Sequence, residues 1–481
     1  MKSRLIILVA LISTVICNGS NASDATISNP PNIVFIFTDD LGYNNLSCYG
    51  APKIKTPIID LMAKEGLRFT DFYVGSSVCT PSRYALLTGR YPHRAKDKAM
   101  LRWLNPKHDT GGISDFEITV AQALRDSGYA TACIGKWHLG DSEKFFPTKF
   151  GFDYWWGLAN NPYHSAYSKG VPLYENTKIA IQPANLNTLT KSYTEKAIGF
   201  IEKSVKEEKP FFLYLPHTYP HGPLACSEEF RGKSAGGLLG DTIEEIDWST
   251  GQILKKLKDL GIDSNTMVIF TSDNGGMLNR GGQEAWRRGH RLNGDLLGFK
   301  FDAWEGGHRV PFIARWPGKI EVGSVSDSLI SNVDLFATVA AITGRKLGPS
   351  EGEDSFNILP ALTGEPGAKV RDSLLIAPLR RTHLSLRKGD WIYIGARGHG
   401  GFGAKKVGEH GLGGPAAHPF TGHINSDIEA GNIKADAPEA QLYNLAKDPY
   451  QKQNVIRSHP NIAEQMKAEM QSIRANPTAP H

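Results

Sequence analysis

Short, nearly continuous apolar runs alternate along this chain with stretches in which apolar residues return every three or four positions. Asn32 to Phe37, Ala130 to Ile134, Phe211 to Leu215 and Met267 to Phe270 have strand length and the composition of strands covered on both faces, as in a largely parallel sheet. Between them, Thr119 to Asp126 and Thr242 to Leu257 carry helical spacing, with Ile243, Ile246, Ile253, Leu254 and Leu257 on one side. The predicted class is α/β. Each predicted strand runs into polar residues: Asp39-Asp40, Lys136-Trp137-His138, His217 to His221, and Asp273-Asn274. Ligands of open α/β sheets bind beyond the carboxyl ends of the strands, so these four clusters can converge on one crevice. Gly- and Pro-containing turns near 345–375 follow the helix-like Asp334 to Ile342 and mark a boundary; beyond it, Leu384 to Ile394 reads as one or two strands of a smaller sheet. The expected division is a main domain over 23–370 and a smaller C-terminal one over 371–481, closed by a helix from Asn461 to Arg474. Gly395 to Gly422, rich in Gly and carrying His399, His410 and His418 with His423 just after it, reads as a mobile surface loop.

The composition, 40% hydrophobic and 21% charged over 481 residues, is that of a globular protein and excludes a disordered or fibrous one. Residues 1–22 have the form of a signal peptide, with Lys2 and Arg4 before the apolar run Leu5 to Ile16 and small residues suited to cleavage after Ala22. That run is too short for a transmembrane anchor, which needs about 20 apolar residues. A periplasmic or secreted protein is the expectation. The net charge of +5 is too weak to point to nucleic acid. Cys48, Cys79, Cys133 and Cys226 of the expected mature chain fit neither a zinc pattern nor a dense disulfide framework.

Cys79-Thr80-Pro81-Ser82-Arg83 is followed by Tyr84-Ala85-Leu86-Leu87-Thr88-Gly89-Arg90. Pro81 suits the first turn of a helix, which sets Cys79 at the positive end, where an anion is favoured. By itself such a cysteine is usually a buried structural one. The paired carboxylates Asp39-Asp40 repel one another unless a cation or arginine lies between them. With Asp273 and Asn274 they offer the all-oxygen shell that calcium or magnesium takes. Gly135-Lys136-Trp137-His138-Leu139-Gly140, His217-Thr218-Tyr219-Pro220-His221 and Gly298-Phe299-Lys300 with Trp304-Glu305-Gly306-Gly307-His308-Arg309 complete the set.

In these motifs, and in Leu384 to Trp391 and Gln441 to Leu445 near the end, the chain resembles the formylglycine-dependent sulfatases from about Pro31 to Lys452. The resemblance implies an alkaline-phosphatase-like fold: a mixed, mostly parallel sheet covered by helices, with a smaller C-terminal antiparallel sheet. It implies that Cys79 is oxidised to formylglycine by a formylglycine-generating or anaerobic sulfatase-maturating enzyme, and that one hydroxyl of its hydrate attacks a sulfate ester while the other later expels sulfate. It further implies one divalent ion, calcium before magnesium, on Asp39, Asp40, Asp273, Asn274 and position 79. Arg83 would hold the nucleophile, Lys136 and Lys300 the sulfate, and His138 would take a proton during sulfate release. His221 would meet the leaving oxygen, with His217 the near alternative; Glu305 and Arg309 would be structural. His164 matches a further sulfate-side contact more loosely. The basic run Arg280, Arg287, Arg288, His290 and Arg291 is either a solvated loop or, through Arg287 and Arg288, a site for further sulfates or carboxylates of an oligo- or polysaccharide, with Trp286 or Trp155-Trp156 stacking on sugar rings. The rivals are a phosphate or phosphonate monoester hydrolase of the same superfamily and an inactive glycan-binding protein.

Overall fold

The computed structural model describes residues 30–105, 110–163, 166–365, 368, 370–403 and 406–477, so the expected leader over 1–22 lies outside the described residues. A ten-stranded mixed sheet forms the centre, in the order Ser324–Ser326, Leu67–Phe69, Phe312–Arg315, Thr266–Ser272, Asn32–Thr38, Phe211–Pro216, Ala130–Ile134, Tyr154–Gly157, Leu173–Glu175 and Lys178–Ile181. Its middle is parallel: Asn32–Thr38 pairs in parallel with strands on both sides, and Ala130–Ile134 likewise. Alternation along the first strand divides the core. Ile33, Phe35 and Phe37 enter the layer beneath one face, while Val34 and Ile36 enter the layer on the other. The helices Leu189–Lys206 and Leu238–Asp259 cover the second face with Ile201, Ile243, Ile246, Ile253 and Leu257. Both faces are therefore buried, which is why the central strands are apolar throughout.

A second, four-stranded antiparallel sheet is built from Ser373–Ile376, Ser385–Lys388, Trp391–Ile394 and Gln441–Asn444. The helix Pro460–Ala475 lays Ala463, Met466, Met470 and Ile473 against it.

Parallel register is what gathers the polar clusters. Thr38 stands opposite Ser272, and Phe37 opposite Pro216, so the chain leaves three neighbouring strands at one level. Asp39 and Asp273 are thus neighbours at adjacent strand ends, stitched by Asp273 N–H to Thr38 O (3.0 Å) and Asp39 N–H to Tyr219 O (3.2 Å). Ala130–Ile134 joins the same edge, where Lys136 N–H donates to Pro216 O at 2.7 Å.

The segment Gly395 to Gly422 departs from the expected mobile surface loop. His399 and His418 are buried, and among its described residues the segment is tied down by Ala303 N–H to His399 O (2.7 Å) and Arg380 N–H to Gly400 O (2.9 Å). His399 Nδ1 lies 2.7 Å from Asp302 Oδ1. Its glycines serve close packing: a Cβ on Gly401 would stand 2.6 Å from Asp302 Oδ1.

Candidate active site

Cys79 opens a helix, Cys79–Thr88, whose ten residues are all buried. Arg83 follows one turn later and so shares the face of Cys79. Its Nε and Nη2 donate to Asp273 Oδ2 at 3.2 and 2.9 Å, and its Nη1 to the carbonyl of Lys136 at 3.0 Å. One side chain thus ties the helix to two of the strand ends. The Cys79 sulfur, an Asp39 carboxylate oxygen and an Asp273 carboxylate oxygen lie within 4.8 Å of one another, as do ligand atoms of Asp39, Asp40 and His221.

Around these carboxylates stand two ammonium groups. Lys136 Nζ is paired with Asp39, and Lys300 Nζ lies 2.6 Å from Asp40 Oδ1. Lys300 is fixed from both sides, its own N–H donating to Gly276 O (3.0 Å) and the next residue's N–H to Ser77 O (2.9 Å). Asn274 Nδ2 donates to Asp40 Oδ1 at 2.8 Å, and Asp40 N–H to Asp273 Oδ1 at 3.0 Å. Burial opposes ionisation of Asp39, yet Lys136 and the other cations around it hold its carboxyl well below the usual range. Burial and repulsion from Asp39 instead push Asp273 up. Three buried oxygens, Asp39 Oδ1, Asp40 Oδ2 and Asn274 Oδ1, have no hydrogen-bond partner. Buried oxygens without donors are costly; a hard divalent cation satisfies an oxygen-rich set of this kind. The residues therefore fit such an ion.

The histidines separate by their surroundings. His138 Nε2 is 3.1 Å from Leu104 O, an acceptor only, so Nε2 carries the proton and Nδ1, buried and without a partner, is a free base. Burial and then Lys136 keep this ring neutral, its pKa well below the ordinary value. His221 Nε2 is 3.7 Å from Asp40 Oδ2 and 3.5 Å from the hydroxyl of Tyr163, and burial followed by Lys300 lowers its pKa to about 3. His217 turns elsewhere, against Tyr193, with burial alone lowering it to about 3. The strand Phe211–Pro216 thus delivers His221, not His217, to the carboxylates.

Arg287 and Arg288 are not brought to this cluster. Arg287 pairs with Glu409, and Arg288 with Glu284 at 2.8 Å, both half exposed. Trp155 is fully buried core, Trp156 is buried with its indole N–H on Ser192, and Trp286 packs on Phe299, so none of the three offers a free ring face at the cluster. His164 lies outside the described residues. Glu305 and Arg309 face away from the cluster toward Tyr73 and Asp71, in keeping with a structural part. Sequence reasoning passed over Tyr163, beside His221, and over Trp103, which meets Phe301 next to Lys300; each is an ordinary aromatic in its local sequence, and only the fold sets it there. Cys48, Cys79, Cys133 and Cys226 are all free thiols.

A carboxylate cluster fenced by two lysines and an arginine, with a cysteine at a helix start, suits transfer of a tetrahedral anion. Comparison with known proteins agrees. Residues 31–345 match the family model described as Sulfatase. Among curated proteins, the N-acetylgalactosamine-6-sulfatase of Canis lupus familiaris is 38% identical over 370 residues, covering 73% of this chain and 69% of that protein. The N-acetylgalactosamine-6-O-sulfatase of Bacteroides thetaiotaomicron is 32% identical over 95% of this chain and 94% of its own length. A solved structure described under metabolism of multiple glycosaminoglycans by Bacteroides thetaiotaomicron superposes with a TM-score of 0.80 at 29% identity, covering 93% of this chain and 100% of that one. The fold is accordingly the alkaline-phosphatase-like one of the sulfatases, and the chain belongs to the sulfatase family of sulfuric ester hydrolases.

Proposed function

We propose that this enzyme removes sulfate from a sulfated carbohydrate, releasing inorganic sulfate and an alcohol, with Cys79 oxidised to formylglycine as its nucleophile and one divalent cation, calcium before magnesium, on Asp39, Asp40, Asp273 and Asn274. The observation that carries this reading is the Cys79 sulfur within 4.8 Å of the Asp39 and Asp273 carboxylates, at the start of a buried helix. A buried thiol there has little use of its own, since burial pushes its pKa up despite Lys300 and Lys136 nearby. The hydrated aldehyde would supply the attacking oxygen and the second hydroxyl that frees sulfate. The cation, when bound, would polarise the ester and help activate the hydrate for attack.

The chain's own residues account for the rest. Lys136 and Lys300 supply positive charge where the sulfate oxygens gather it, preorganised by Asp39 and Asp40 and out of contact with bulk water. Arg83 orients Asp273 and the loop of Lys136. His138 Nδ1 is the base that takes a proton as sulfate departs. His221 and Lys300 flank the leaving oxygen; burial would lower Lys300, but Asp40 and the other anionic groups around it together more than offset that and keep the ammonium charged.

Carbohydrate is favoured by the half-buried rings of Trp103 and Phe402, 5.2 Å apart and both packed on Phe301 beside Lys300, where the alcohol would leave. Aromatic faces of this kind pack on the C–H faces of sugars. The names of the relatives direct the first trials to 6-O-sulfated N-acetylgalactosamine. Export by a leader over 1–22, maturation by a formylglycine-forming enzyme and a division into 23–370 and 371–481 belong to the same proposal. Peptide mass spectrometry across Cys79, on protein from a host with the maturation enzyme, should find the aldehyde, and Cys79→Ala should lower sulfate release by about 10³-fold or more. Unmodified thiol in fully active enzyme would refute the mechanism.

A further inference from the structure

Four arginines lie between Asn274 and Lys300, and the structure separates one from the other three. Arg287, Arg288 and Arg291 each pair with a carboxylate: Glu409, Glu284 and Asp295. Arg280 is exposed and has no ion pair with a carboxylate among the described residues; its guanidinium carbon lies 4.4 Å from the centroid of the Tyr163 ring. Two contacts bind it to the surroundings of His221. Tyr163 OH is 3.5 Å from His221 Nε2, and the stem of Arg280 lies on Gly222, the residue after His221, where a Cβ would stand 2.6 Å from Arg280 Cβ and Cδ. Arg280 also holds a left-handed backbone, φ 52°, a conformation that costs an arginine about 1–2 kcal/mol and costs glycine almost nothing. The chain thus keeps a strained, exposed cation, without a carboxylate partner among the described residues, on the His221 side of the site.

We propose that Arg280, stacked on Tyr163 and seated on Gly222, determines specificity by binding a second anionic group of the substrate, a sulfate on the sugar whose ester is cut or a carboxylate on the sugar linked to it. This rests on the carbohydrate reading above. The first sulfate would enter among Lys136, Lys300 and Arg83, all buried, whereas Arg280 is exposed outside that enclosure, beside Tyr163 and Gly222 on the His221 side. The planar guanidinium, whose Nη1 also reaches Gly222 O at 3.5 Å, can donate through its remaining N–H groups to two oxygens of either anion in a fork, and the ring lies against its face and not its edge.

The test compares kcat/KM of the mature enzyme and of Arg280→Ala and Arg280→Lys on three probes. These are 6-sulfated N-acetylgalactosamine with one anion, its 4,6-disulfated form, and a 6-sulfated chondroitin disaccharide bearing a uronate. The wild type should prefer one or both dianionic probes. Arg280→Ala should lower that preference by about 10- to 100-fold, the loss of one charge-assisted contact, mainly through KM, with Arg280→Lys keeping part of it. Which dianionic probe responds identifies the anion as sulfate or carboxylate. An unchanged ratio in Arg280→Ala, or an equal loss on all three probes, overturns the assignment. A wild type that cleaves an aryl sulfate but none of the three overturns instead the carbohydrate reading on which it rests.

Discussion

Arg83 sits with Asp273 on one side and the Lys136 carbonyl on the other, entirely out of water. A buried ion pair contributes little net stability against well-packed apolar residues, yet removal of one partner strands the other charge. Arg83→Ala should therefore cost about 3–5 kcal/mol in urea unfolding, with activity lost as well, while Arg287→Ala, at a half-exposed pair, should cost about 1 kcal/mol or less. Similar losses for both would count against the arrangement. At this scale the sequence carried the chemistry wherever motif and spacing coincide: Cys79 and Arg83, four apart on a helix, had to share a face. It put His221 ahead of His217 only by resemblance, and it did not carry the choice among the arginines, because the answer depends on which distant groups stand opposite each side chain.

Among the elements, the decisive ones are strand ends with little room. The loop after Ala130–Ile134 passes so close to its neighbour that a Cβ on Gly135 would lie 1.9 Å from Pro216 O, at φ +138°. Gly135→Ala must displace backbone and with it Lys136, so it should abolish activity and lower Tm sharply. Gly128→Ala makes the control: its φ is +89° but nothing stands within 4 Å, leaving only conformational strain of about 1–2 kcal/mol. Equal effects of the two in thermal denaturation would refute the crowding account. Asp40, His138 and Phe301, all at or beside the site, adopt positive φ without being glycine, the pattern of strain retained where function requires a particular aim. Strand and helix positions were legible because burial on two faces or on one leaves a period in the sequence. The segment Gly395 to Gly422 was not, since its glycines admit close packing on Asp302 and Phe299, and glycine spacing looks the same in a mobile loop.

At the scale of the whole molecule, the site draws on chain positions from Asp39 to Lys300, and the Gly-rich segment from beyond the second sheet's hairpin braces the Lys300 turn through His399 and Asp302. Such a site holds many buried like charges, so an ion bound only by the folded state should stabilise it by linkage. Chelation of the purified enzyme should lower both Tm and sulfate release, and calcium should restore both better than magnesium; a Tm indifferent to chelator and to either ion would count against the proposed shell. No helix among the described residues is long and apolar enough to cross a membrane. The sequence alone determined the α/β class, the family and the residues that can do the chemistry, because these follow from local period and from short motifs whose parts lie within a turn or a loop of one another. Only the tertiary structure decided which of them meet. Parallel register sets Asp39 beside Asp273, and packing buries Trp155 while it lays Arg280 over Tyr163 with no carboxylate partner among the described residues; such pairings join positions far apart in the chain, where local sequence exerts no constraint.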